Sequence, residues 1–314
     1  MAGAPLVRLG LIGAGRWGRN FIRTIRAMDG VALAWVASAN PDTPALAGES
    51  CPVDPDWRRL LAGGDADAVV IATPPALHAE MTLAAVAHGL PVLVEKPLTL
   101  DLAEAEGLLA EVDRRRGYVL VDHVHLFNPA YRALKAAVAG LGTIKAITAT
   151  AGAHGPFRTD TPVLWDWACH DIALCADLLG VMPETVGIRP VRRQGPGAVY
   201  HIVLGFSLGG GAEKVEATLV CGNLFDERVR RFAVETAGGT LTFDDFGAQP
   251  LVLREAGGTE RPLPVASVKP LDNAILTFAQ AVRQGERSAA PLRFAVGVVE
   301  ALDRLDRALA ETSA

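Results

Sequence analysis

Residues 6–18 read LVRLGLIGAGRWG. The apolar run 6–12 suits a buried strand, and it leads into Gly13-Ala14-Gly15-Arg16-Trp17-Gly18, a G-x-G-x-x-G. A helical pattern follows through Phe21, Ile22 and Ile25 and closes near Gly30. In a strand–loop–helix of this kind the first glycine permits the tight turn. The second lets the backbone approach a diphosphate, and the third lets helix and strand pack closely. The free N–H groups at the helix N-terminus then hold the anion. In a chain with 32 glycines the same pattern also arises as a ligand-free turn, so its surroundings must choose between the two readings.

Working outward, residues 31–37 (VALAWVA), 66–72 (ADAVVIA), 91–94 (PVLV) and 118–121 (YVLV) read as further strands. Between them lie helices from Pro74–Pro75 through Ala87 and from Leu102 to Arg115, the second with Asp101 as N-cap and Glu104 as its reciprocal partner. Strand–helix alternation at this spacing predicts a doubly wound parallel sheet. On that frame the glycine loop reads as a dinucleotide site. After residue 122 the pattern changes. A helix over 129–139, a strand over 144–151 and a helix over 162–179 precede strand-like segments near 185–193, 198–208, 212–221, 228–236, 240–243 and 250–254. Several alternate polar and apolar residues, which predicts a mostly antiparallel sheet with one covered face. Two helices close the chain, about 272–284 and 292–311. The reading is an α/β chain with a Rossmann domain over 1–122 and an α+β substrate-binding and oligomerisation domain over 123–314. Val199, Ile202 and Leu204 are expected on an exposed sheet face, a patch that predicts a homodimer or homotetramer.

Composition removes whole classes of function. Half of the residues are hydrophobic and 21% are charged, which excludes disorder. A net charge of −5 gives no general attraction for nucleic acid or anionic membranes. No run of 18 apolar residues and no signal-peptide pattern is present. Cys51, Cys169, Cys175 and Cys221 form no C-x-x-C pair, so free thiols and a cytoplasmic setting are expected. Cys169 adjoins His170, but the two project differently and Cys175 belongs to a buried stripe, so no metal is expected.

The ribose-reading position, twenty residues after Gly18, is Ser38. A carboxylate there would repel a 2′-phosphate and a serine does not. NADP is therefore favoured over NAD, with Arg16 and Arg19 near the phosphate loop. Thr73, Pro74 and His78 follow a strand and are expected along the cofactor groove, as is Trp17. Glu95-Lys96-Pro97 closes a central strand, where ligands of open α/β sheets bind. Taken alone, Lys96 reads first as a surface lysine before a turn-forming proline.

The helix over 162–179 alters that balance. Thr161 is its expected N-cap, Pro162 its first residue and Gly180 its stop. Leu164, Ala168, Ile172, Cys175 and Leu179 form the buried stripe. Asp166 and His170, four apart, share another face and must meet water or a cleft. A cation, an imidazole and a carboxylate are what alcohol oxidation needs: to stabilise an alkoxide, accept its proton and orient the acceptor. His123 and Arg158, with Asp160 beside it, are expected to contact substrate alongside Asp166 and His170.

GAGRWG at 13–18, ATPPALH at 72–78, EKP at 95–97 and the D-x3-H of Asp166 and His170 resemble, in order and spacing, the Gfo/Idh/MocA family of sugar and cyclitol oxidoreductases. The resemblance implies a Rossmann domain followed by a mixed α/β domain whose open sheet makes dimers or tetramers. It implies a Lys–Asp–His set at Lys96, Asp166 and His170. HLFNPAY at 125–131 and GPFRTDTPVLWDWACHD at 155–171 look most like members acting on nucleotide-linked sugars. The expected activity is hydride transfer between NAD(P) and a secondary alcohol carbon of a sugar, nucleotide-sugar or cyclitol. Two alternatives stand beside it. One is an NAD-dependent glycosidase of the same family, although those chains tend to be longer. The other is a non-catalytic dinucleotide-sensing protein, against which the joint retention of Lys96, Asp166 and His170 argues.

Overall fold

The computed structural model describes residues 5–311. The chain forms two compact units. One holds the residues up to Asp122 together with Leu271–Val299, and the other holds His123–Pro270 and the residues from Glu300 onward.

The first unit runs β1 (Val7–Ile12), α1 (Gly18–Ala27), β2 (Val31–Ala37), α2 (Thr43–Ala47), β3 (Val53–Asp54), α3 (Trp57–Ala62), β4 (Ala68–Ile71), α4 (His78–Ala87), β5 (Val92–Glu95), α5 (Leu102–Arg114) and β6 (Val119–Asp122). Its sheet has the order β3-β2-β1-β4-β5-β6 with every pair parallel. Every residue of β4 and β5 is buried, which is why those strands read as unbroken apolar runs rather than alternations. The strand order reverses between β1 and β4, so the carboxyl ends of those strands flank the crevice where such sheets bind ligands. Asp101 caps α5 as expected, accepting the Glu104 N–H at 2.8 Å. The short α2, β3 and α3 have no counterpart in the sequence pattern. They span two to six residues each, too few for a period to register.

The second unit holds α6 (Pro129–Val138), β7 (Ile144–His154), α7 (Val163–Leu179), β8 (Thr185–Gln194), β9 (Gly197–Leu208), β10 (Glu213–Gly222), β11 (Leu224–Thr236), β12 (Gly239–Asp244), β13 (Leu251–Glu255) and β14 (Glu260–Pro262). Its eight strands take the order β14-β13-β12-β11-β7-β10-β9-β8, antiparallel except for the central β7–β10 pair. Helix α7 packs on β7, β9 and β10, and α6 on β12 and β13.

Two expectations need correction. Val199, Ile202 and Leu204 do not form an exposed patch: they are 6%, 0% and 0% exposed. Residues 202, 204 and 206 share one pleat face in the core, and the alternate residues 201 and 203 occupy the other. The closing segment also divides. Helix α8 (Pro270–Arg283) and the first turns of α9 (Ala290–Glu311) cluster with the first unit, not with the second as the sequence suggested. Phe278 of α8 stacks on Tyr118 with ring centroids 6.2 Å apart, and Arg283 donates to the carbonyls of Pro5 and Gly30 at 2.8 and 2.6 Å.

Candidate active site

The glycine loop has the geometry its sequence called for. Gly13 has φ +98°, and a Cβ there would lie 2.6 Å from the Ala72 carbonyl oxygen. A Cβ on Gly18 would lie 2.0 Å from the Gly13 carbonyl oxygen. These two glycines are required by the fold itself. A Cβ on Gly15 would meet nothing within 4 Å, so the backbone there is open to a close-approaching ligand. The first turn of α1 carries no acidic residue, so its positive end is not compensated from within. The loop therefore fits a dinucleotide diphosphate.

Beside it lies a groove of about 580 Å³ lined by Gly15, Arg16, Arg19, Asn20, Arg23 and Asn40. Arg16, Arg19, Asn20 and Arg23 fall at i, i+3, i+4 and i+7, one face of a helix, a spacing legible in the sequence although only Arg16 and Arg19 stand out there by their nearness to the loop. Arg19 also pairs with Asp42 at 3.6 Å. Ser38 shapes this rim rather than standing clear of it. Its hydroxyl lies 2.9 Å from that of Thr43 and accepts the Asn40 N–H at 3.1 Å. Trp17 and Pro74 are exposed and Thr73 is half-buried. His78 departs from expectation. Its side chain is fully buried, with ring nitrogens 2.9 Å from the carbonyls of Pro97 and Thr73. It ties the turn after β5 to the turn after β4 and reaches no groove.

Glu95 ends β5 and Lys96 follows it, the Lys96 N–H donating to the Glu95 carboxylate at 3.2 Å. Directly across from Glu95 on β6 stands Asp122, and both carboxyls are buried. Burial pushes the Asp122 carboxyl well above the usual carboxylate range, against the pull of the Lys96 charge and of a hydrogen bond with Glu95. In the sequence Asp122 is only the end of a strand, because nothing local announces its register with Glu95.

In the second unit α7 begins at Val163, so Pro162 occupies the N-cap position in an extended conformation. Thr161, the expected cap, instead points its hydroxyl at Asp160, 3.4 Å away. Gly180, with φ +73°, ends the helix as expected. Asp166 and His170 sit one turn apart on α7. The Arg158 guanidinium forms a two-bond pair with Asp160, 2.9 Å in each arm, and lies 3.5 Å from Asp166. That pairing holds the Asp160 carboxyl below its usual range. Arg158, expected at the substrate, is thus engaged by two carboxylates.

His170 is nearly buried, and the ring of His125 meets it edge-on with centroids 4.7 Å apart. Behind His125 lies Asp245, 3.9 Å from its Nδ1, itself accepting the Asn128 side-chain amide at 2.8 Å. Next along α7, Asp171 forms a buried ion pair with Arg230 of β11 at 3.0 Å. His123 is buried at the start of this unit. By sequence His125 reads equally well as structural, and neither Asp245 nor Arg230 stands out. Asp245 lies 117 residues from Asn128, so only the folded sheet reveals the connection. The first unit thus gathers Lys96, Glu95 and Asp122 at the end of β5. The second gathers Arg158, Asp160 and Asp166, and sets His125 against His170.

Comparison with known proteins finds relatives over most of the chain. The sequence pattern of an oxidoreductase family with an NAD-binding Rossmann fold matches residues 7–123. The inositol 2-dehydrogenase 4 of Saccharopolyspora erythraea is 32% identical over 271 residues, covering 82% of this chain and 79% of that protein. A protein of Magnetospirillum magnetotacticum MS-1 of solved structure is 43% identical, with a TM-score of 0.87 over 96% of this chain and 99% of that one. The UDP-N-acetylglucosamine 3-dehydrogenase of Acidithiobacillus ferrooxidans superposes with a TM-score of 0.84 at 26% identity, covering 96% and 97% of the two chains.

Proposed function

The chain belongs to the Gfo/Idh/MocA family of oxidoreductases, and from that footing we propose that it transfers a hydride between NADP(H) and a secondary alcohol carbon of a cyclitol, sugar or nucleotide-linked sugar. The observation that carries this reading is the Gly13–Gly18 cradle with Lys96 at the end of β5 in the same sheet. The cofactor preference is supported by the groove of Arg16, Arg19, Arg23 and Asn40, whose guanidinium groups suit a 2′-phosphate, and by the lack of a carboxylate at position 38.

When bound, the nicotinamide supplies the hydride acceptor. This chain's residues handle the proton and the charge. His170 takes the hydroxyl proton, because imidazole is the side chain whose charge changes around neutral pH. Lys96 stabilises the developing alkoxide as a cation, since an ordinary lysine at about 10.4 would need a large shift to act as base. Asp166 holds the imidazole in position and favours its protonated form. His123 and the Arg158–Asp160 pair are proposed contacts for substrate hydroxyls.

Incubation with NADP+ or NAD+ and a panel of myo-inositol, free hexoses and UDP-N-acetylglucosamine, read by the absorbance of reduced cofactor, tests the reading. Reduced cofactor with one of these classes supports it. Tight cofactor binding with no reduction across the panel would replace it with a non-catalytic dinucleotide-binding role.

A further inference from the structure

Glu95 and Asp122 are register partners on the adjacent parallel strands β5 and β6. Register partners in a parallel pair project to the same side of the sheet, so their carboxyls are neighbours. They are 8% and 1% exposed. Neither oxygen of Asp122 has a donor among the backbone and amide groups of the described residues, and the carboxyl within its hydrogen-bonding reach is that of Glu95.

Two carboxylates at such a separation, shut from water, cannot both stay ionised. A proton on one of them supplies the donor that the other lacks and removes one of two like charges. Lys96 adjoins Glu95 and its positive charge acts on Asp122. With one proton on the pair, its charge of minus one and the plus one of Lys96 cancel, the least costly state for a buried cluster. The titratable groups around Asp122 include Glu95 and Lys96 from β5 and the turn after it, and the buried His123 that follows Asp122 in the chain. His78, from α4, is engaged with the backbone carbonyls of that same turn and of Thr73.

We propose that Glu95 and Asp122 hold a single proton between them, and that the one negative charge they retain keeps Lys96 an ammonium ion. Both are positioning residues that act through Lys96. A lysine held in its charged form serves as an electrostatic group and leaves proton removal to His170. The functional meaning rests on the role proposed above for Lys96, whereas the cluster itself is open to titration without any turnover.

The test uses the full chain. Carboxyl resonances of ¹³C-labelled Asp and Glu are followed against pH. The five lysines of the sequence are ¹³C-methylated, with Lys96 assigned through Lys96→Arg. In the wild type one carboxyl of the pair should titrate near neutrality, far above the ordinary value of about 4. In Asp122→Asn, Glu95 should titrate at least about one unit lower than the pair did, and Asp122 should do the same in Glu95→Gln. Lys96 titrates above the pair, where the wild type carries two negative charges beside it and each single variant one, so it should fall by less than about one unit in either single variant. It should fall by about one unit or more, a tenfold change, in the double variant. Both carboxyls titrating in the ordinary range in the wild type would overturn the proposal. So would a Lys96 that titrates unchanged in the double variant, which means that the pair does not act on it. If Asp122→Asn does not fold, the wild-type titration and Glu95→Gln still decide. An enzyme that oxidises nothing but shows these titrations separates the failure of the oxidation reading from that of the carboxyl pair.

Discussion

Ser38 illustrates how one residue can be both a turn former and a selector. Its hydroxyl is occupied in the turn after β2, so its part in cofactor choice is the charge it does not bring. Ser38→Asp would place a carboxylate beside the arginine groove. The wild type is expected to bind NADP(H) at least as tightly as NAD(H) in fluorescence titrations. The variant should reverse that order, and a wild type favouring NAD(H) tenfold would contradict it. For His170, replacement by Asn keeps the size and removes the base. Turnover should fall by roughly 10²–10⁴-fold while cofactor binding stays within a factor of about two. The limb of the pH–rate profile near the imidazole pKa should vanish with it. If that limb survives in His170→Asn and is lost in Lys96→Met, the base is Lys96. These residues are visible in the sequence because their spacing is local: Asp166 and His170 are four apart on one helix, and Lys96 adjoins a proline-marked strand end.

At the scale of elements, α7 departs most from its sequence reading. The sequence predicts one apolar stripe, yet 11 of its 17 residues are buried, because β7, β9 and β10 cover much of its circumference. Amphipathic periodicity reports where a helix is most apolar, and cannot report how far its neighbours wrap around it. The Asp171–Arg230 pair fastens this helix to β11, with side chains only 2% and 7% exposed. Burial raises the Asp171 carboxyl and Arg230 opposes that rise. Arg230→Met should therefore leave a buried charge without its partner and cost about 3–5 kcal/mol in urea unfolding at neutral pH. The sign of its pH dependence follows. Without Arg230 the folded-state pKa of Asp171 rises further above its unfolded value. The folded form then binds a proton that the unfolded form releases, and stability drops as pH climbs through that window. The deficit of Arg230→Met relative to wild type should be smaller at pH 5 than at pH 8. An equal deficit at both would mean that Asp171 stays ionised without its partner.

For the whole molecule, the open face of the eight-stranded sheet suggests assembly. One row crosses it through Val203, Thr218, Thr148, Ala233 and Thr242, all small and uncharged. Two residues along each strand, Glu216, Glu235 and Arg254 lie to one side of this row, and Arg231, Arg189 and Asp244 to the other. A two-fold axis running along the neutral row would set Glu235 of one copy against Arg231 of the next. The expected state is a homodimer, or a dimer of dimers, joined through this face. Thr148→Arg together with Thr218→Arg should shift it to the 33.0 kDa monomer in light scattering without loss of fold. A wild type that is monomeric at micromolar concentration, or a double variant that stays assembled, would count against it.

Much of this protein is written locally. The parallel sheet of the first unit follows from strand-length apolar runs punctuated by helices, and the cradle from three glycines, of which Gly13 and Gly18 leave no room for a Cβ. Asp166 and His170 stand out through residue type and their four-residue spacing, and Lys96 becomes a candidate only beside them. The remaining features depend on which strands become neighbours. Asp122 gains its partner through the register of β5 and β6, and Arg230 meets Asp171 through 59 residues of intervening chain. The face on which Ile202 and Leu204 lie was fixed by α7 packing against β9, not by their alternation alone. Residues 271–299 joined the first unit because Phe278 and Arg283 found partners there. Periodicity encodes that a segment has an apolar side; only the folded chain decides what that side is buried against, since burial free energy is non-directional and any complementary surface can supply it.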